Sequence, residues 1–111
     1  ELAAFPAILP DARFFTGRIV RELFERKQID LLLDNDLSTD YLETIKALIN
    51  IGESWSVLPH TMLDDRFLVA LNLRGVQLHR KLVSIHHKDR SLNSAARAFL
   101  EVLNRHRDHA A

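Results

Sequence analysis

Apolar positions along the chain follow two different periods, and the alternation between them divides the sequence into helical and extended stretches. From Ala12 to Lys27, Phe15, Ile19, Val20, Leu23 and Phe24 keep helical spacing, while Arg18, Arg21, Glu22, Glu25 and Arg26 fill the other side. This pattern predicts an amphipathic helix. A second helix follows Ser38, Thr39 and Asp40, whose side-chain oxygens suit the free amides of a first turn. It runs to about Ile51 with Tyr41, Leu42, Ile45, Leu48 and Ile49 inward, and Gly52 stands where a left-handed residue ends a helix. Ser91 is placed to cap a third helix, with Leu92, Ala96, Phe99, Leu100 and Leu103 inside and an end near Arg107.

Five stretches are expected to be extended. Phe5 to Leu9, interrupted by Pro6 and closed by Pro10, suits a strand at a sheet margin. Ile29 to Leu33, closed by the turn formers Asp34, Asn35 and Asp36, suits a buried strand. Ser54 to Leu58 is stopped by Pro59, and two further runs, Phe67 to Leu73 and Leu78 to His86, flank Arg74 and Gly75. The order β-α-β-α-β-β-β-α predicts an α/β fold with a mixed, largely parallel sheet flanked by helices. Ligands of such sheets sit beyond the carboxyl ends of strands, where helix N-termini point. That directs attention to Thr16, to Ser38 through Tyr41, and to Ser54 and Trp55.

Composition narrows the function classes. With 111 residues the chain fits one small domain, and 47% hydrophobic with 27% charged residues is the balance of a folded globular protein. Lys+Arg and Asp+Glu both number 15, so no overall field would draw this chain onto a phosphate backbone. Cys is absent, which excludes a disulfide framework or thiolate metal site and makes the cytoplasm the default expectation. No apolar run approaches the roughly 18 residues of a spanning helix. The start at Glu1, without Met or a leader, suggests a piece of a longer polypeptide.

Candidate chemistry is sparse. Ser38, Thr39, Asp40 and Tyr41 put hydroxyls and a helix start after a buried strand, which can receive a small anion or can be an ordinary cap. Asp40 would compete with an anion for the same amides and could instead meet an amino or hydroxyl group. Thr16 and Arg18 offer a hydroxyl and a planar donor fork near the first helix start, although Arg18 also suits a solvated face. Trp55 could wall a pocket with its indole N–H, or simply pack. The six His residues, at 60, 79, 86, 87, 106 and 109, lack metal-ligand spacing, and the chain has no nucleophile elbow, phosphate loop or His-Glu-x-x-His. Asp64 and Asp65 suit a solvated turn. No enzyme activity, metal or cofactor is expected.

Taken in order, Tyr41-Leu42-Glu43-Thr44-Ile45-Lys46, Ile51-Gly52, Trp55-Ser56-Val57-Leu58-Pro59, Arg80-Lys81-Leu82 and Ala95-Ala96-Arg97-Ala98-Phe99-Leu100 resemble the effector-binding domain of LysR-type transcriptional regulators. The likeness runs from about Phe5 to Leu103. The Phe15-Thr16-Gly17-Arg18 string also looks like the branch that includes sulfur-assimilation regulators. Ser54 stands where the family's second glycine of Gly-x-Gly is usual, and Glu53 where an apolar residue is common, so the pocket and its effector can differ.

The resemblance implies a periplasmic-binding-protein type 2-like subdomain. It assigns about 5–86 to the second subdomain of the effector domain and about 87–108 to a returning segment and C-terminal helix, with the DNA-binding domain absent. It further implies a cytoplasmic homodimer or homotetramer. A small metabolite or inorganic anion would bind in an inter-subdomain cleft bordered by Thr16, Ser38, Thr39, Asp40, Tyr41, Ser54 and Trp55, and DNA would be reached only through the absent domain. A solute-binding protein of a transporter is the alternative, since it would hold a ligand the same way.

Overall fold

The computed structural model describes residues 1–34, 39–63 and 66–107. Three α-helices carry its regular structure: α1 (Phe15–Arg26), α2 (Leu42–Ile49) and α3 (Ser94–Arg105). Short 3-10 turns occupy Leu2–Ala4 and His60–Met62. The chain divides into two compact units, Glu1–Arg80 and Lys81–Ala111.

The three helices form where the periodicity predicts them, and their ends differ in detail. α1 starts at Phe15 rather than Ala12, because the Phe14 amide turns back on the Asp11 carbonyl. It closes with the Ile29 amide on the Phe24 carbonyl and Gln28 at φ 54, a left-handed terminus built on a residue other than glycine. α2 starts after Tyr41 and has no side-chain cap, so the expected capping by Thr39 or Asp40 does not occur. Gly52 adopts φ 95 just past its end, as expected of that glycine. α3 is capped by Asn93, whose Oδ1 accepts from the Ala96 amide at 2.8 Å, rather than by Ser91.

The expected α/β sheet is not formed, and with it falls the periplasmic-binding-protein type 2-like subdomain. Among the described residues no β-strand exists. Extended segments meet only at isolated parallel bridges, Ala7 with Leu33 and Ala7 with Trp55. Hydrogen bonding around Ala7 explains the limit. Its amide donates to the Leu32 carbonyl and its carbonyl accepts from Asp34, at 2.8 and 3.0 Å. On the opposite edge the Ile8 amide reaches the Trp55 carbonyl and the Trp55 amide reaches the Pro6 carbonyl.

Alternate residues of an extended chain face the same edge, so the neighbouring donors toward Trp55 would be residues 6 and 10. Both are proline and have no N–H to give. Other groups intercept the remaining sites: the Phe5 amide folds back on Leu2, the Phe5 carbonyl accepts from the Trp55 indole, and the Ile8 carbonyl accepts from the Ser56 hydroxyl. The runs at 67–73 and 78–86 likewise form no strand. They leave Val69 in the first unit, and Leu82 and Ile85 in the second, exposed, and Gly75 adopts φ 71.

The core of the first unit is small and sits between α1 and the extended segments. Ala7, Leu9 and Val20 are buried, and Ile19, Phe24, Leu31, Leu33, Trp55, Val57 and Leu78 pack around them. Ile8 and Ile45 are buried outside that cluster. Burying a Val or Ile side chain fully contributes about 1.5–3 kcal/mol. In the second unit, Leu92, Ala96 and Leu100 of the α3 stripe are half-buried, and they flank a hollow of about 270 Å³ shared with Ser84, Ile85 and His86.

Candidate functional site

Pro10 ends the buried run Ala7–Pro10 and turns the chain into α1, and several polar contacts meet at this corner. Asp11 organises it. Its Oδ1 accepts from the Arg13 amide at 2.9 Å and from Arg13 Nε at 3.0 Å, while its own amide donates to Asp40 Oδ1 at 3.0 Å. The Arg13 amide, then the Arg13 side chain, hold the Asp11 carboxyl below its ordinary value, with a smaller contribution from Arg21.

Arg21 fastens the corner from below. Its Nη1 donates to the Pro10 carbonyl at 2.9 Å and to the Gly17 carbonyl at 2.7 Å, both partly buried. Gly17 is buried against the same turn. A Cβ there would stand 2.3 Å from the Pro10 oxygen, 2.4 Å from the Asp11 oxygen and 2.8 Å from Arg21 Nη1. Only a residue without a side chain lets α1 approach the corner this closely.

The predicted site residues divide around this geometry. Thr16 is the second residue of α1 and half-buried beside the corner. Asp40 joins the corner directly across 29 positions of sequence. Thr39 Oγ1 accepts from the Tyr41 amide at 3.3 Å, shaping the approach to α2, and the Tyr41 side chain stands exposed. The carboxylate of Asp40 thus satisfies a backbone donor away from α2, which begins two residues after it.

Trp55 is placed differently. Its indole N–H donates to the Phe5 carbonyl at 3.0 Å, and its ring stacks on Phe24 at 5.8 Å with planes 15° apart. It packs toward the Phe5 end of the extended segment, opposite the Pro10 end. Among the described residues no hydrogen bond joins Ser54 or Trp55 to Thr16, Thr39, Asp40 or Tyr41. Ser38, like Asn35, Asp36, Asp64, Asp65 and His109, lies outside the described residues. Arg18 lies over the Phe15 ring at 5.9 Å and is exposed.

Sequence reasoning missed Asp11, Gly17 and Arg21 as members of this corner. Gly17 carried a usable signal, since a glycine inside a strong helical pattern costs about 1 kcal/mol relative to alanine and therefore asks for a packing reason. Arg21 gave none, because its partners are backbone oxygens that no side-chain pattern marks, and Asp11 with Arg13 two positions on reads as an ordinary local ion pair.

The sequence model of the LysR substrate binding domain family matches residues 1–108. The chain belongs to that family. Neither a curated protein nor a solved structure matches it significantly. Membership in the LysR substrate binding domain family accords with the ordered motifs from Tyr41 to Leu100. Among the described residues of this LysR substrate binding domain, no three His, Asp or Glu side chains gather as a metal would require. No helix among them is long and apolar enough to cross a membrane.

Proposed function

We propose that the chain is the ligand-sensing part of a LysR-type transcriptional regulator, and that a small metabolite or inorganic anion binds against the corner where Asp11, Thr16, Thr39, Asp40 and Tyr41 lie. The family match across residues 1–108 carries this reading. The Asp11–Asp40 contact supports its location, because it draws the entrance of α1 and the entrance of α2, the two stretches singled out by their hydroxyls, to one place. The effector closes against a second wall supplied by another part of the regulator.

The chemistry is binding alone, with no bond made or broken. The effector shifts the population of two arrangements of a cytoplasmic homo-oligomer on DNA by the difference in its affinity for them. DNA is gripped by a separate domain, consistent with the zero formal net charge of this chain.

A thermal-shift screen of the full-length protein against sulfur compounds, carboxylates and aromatic acids identifies the effector through the stabilisation that a bound ligand confers. Thr16→Ala combined with Thr39→Ala then weakens effector affinity by about tenfold, the magnitude of one or two hydrogen bonds, and leaves operator binding in the absence of effector unchanged. Unaltered effector affinity in the double variant would remove both hydroxyls from the site.

A further inference from the structure

Arg21 is unlike the other cations of α1. Arg18 lies over a phenyl ring and Arg26 is exposed, whereas Arg21 is half-buried and spends one nitrogen on two backbone oxygens, those of Pro10 and Gly17. The oxygens belong to different parts of the chain: one ends the buried segment Ala7–Pro10 and the other lies in the first turn of α1. Gly17 removes the side chain that would hold these parts at ordinary distance. Together they press the Pro10–Asp11 peptide onto the helix, and the N–H of that same peptide, on Asp11, is the one that donates to Asp40.

We propose that Arg21 is a positioning residue of the effector corner. It touches no ligand. By holding the Pro10 carbonyl it sets the direction of the Asp11 amide, hence the place of Asp40 and of the Thr39–Tyr41 approach to α2. The Pro10 carbonyl cannot be held equally well by water, because Pro10 is buried. Lysine, like Arg21 Nη1, can offer two N–H donors from one nitrogen, so Arg21→Lys keeps most of the effect, whereas Arg21→Met keeps the stem and loses it. This proposal rests on the effector reading only for its functional consequence; the positioning itself is a property of the corner.

Hydrogen–deuterium exchange of the full-length protein, read by mass spectrometry, tests both levels separately. In Arg21→Met, peptides covering 9–14 and 39–45 exchange about tenfold faster while those covering α3 do not change, and Arg21→Lys restores most of the protection. Inorganic sulfate is the ligand probe: it slows exchange at the same two stretches in the wild type, and Arg21→Met needs several-fold more sulfate for the same effect. Unchanged exchange at 9–14 in Arg21→Met overturns the positioning role, as does a loss spread equally over α3 or one that lysine fails to repair. Absence of any sulfate effect in the wild type counts instead against the corner as an anion site and leaves the exchange comparison of the variants decisive for Arg21.

Discussion

Gly17→Ala tests the close approach at the corner most directly, because its two consequences have opposite signs. As a change inside a helix it favours folding by about 1 kcal/mol, since alanine loses less backbone freedom than glycine. As a change at a packed surface it opposes folding. The new methyl would lie 2.3 and 2.4 Å from two carbonyl oxygens, so the corner must withdraw by roughly 1 Å to reach ordinary contact. Neither oxygen can yield cheaply, because Pro10 is buried and its carbonyl is held by Arg21.

Overpacking of this kind costs about 1–3 kcal/mol, and loosening a partly buried hydrogen bond from a charged donor about 1.5–3 more. After the helix gain, the net loss is roughly 1.5–5 kcal/mol, and few single substitutions reach its upper end. At about 4 °C per kcal/mol for a domain of this size, the melting temperature falls by about 6–20 °C. Thermal and urea unfolding followed by circular dichroism measure it, with the urea slope checking that the denatured state is unchanged. A variant as stable as the wild type, or more so, would refute the reasoning, since that is how glycine on an open helix face behaves.

Two further outcomes follow from single contacts. Trp55→Phe keeps the stacking on Phe24 and loses the N–H bond to the Phe5 carbonyl, so unfolding free energy drops by about 1 kcal/mol, and a drop beyond about 3 kcal/mol would mean that the indole fills space no phenyl can. The Asp11 carboxyl titrates below 3.8, the value for an unperturbed side chain, so its contact with Arg13 persists at full strength above that pH and disappears only as pH falls through the lowered value. Carbonyl-carbon NMR of the Asp11 side chain reads the midpoint directly; one at or above the ordinary value sinks the assignment, and Asp11→Asn removes the dependence.

The helices were legible because an amphipathic stripe is a local property, and α1, α2 and α3 announce theirs within three turns. Their starts were less so. Ser91 and Asp40 are good capping residues by type, yet Asn93 caps α3 and Asp40 serves Asp11, because several suitable oxygens stand near each start and tertiary geometry chooses among them. Trp55 suits either a pocket wall or a packing residue by type, and the structure stacks its ring on Phe24. The corner itself was half legible: Thr16, Thr39 and Asp40 carry visible side-chain chemistry, whereas Gly17 acts by lacking a side chain and Arg21 by serving backbone oxygens.

The missing sheet has a different origin. Alternation of apolar and polar residues reports which faces of an extended segment are buried, and on that point Ala7, Ile8 and Leu9 are buried as a strand core would be. It says nothing about which edges can donate. Parallel pairing is non-local and needs an uninterrupted row of amides on one edge. Toward Trp55 that row is residues 6, 8 and 10, and two of the three are proline, so Ile8 alone of them can donate. The prolines were visible from the start as marks of a sheet margin. Here they act on the segment at the centre of the unit, which bridges to Leu33 on one edge and to Trp55 on the other, and they keep the Trp55 contact from growing into a ladder.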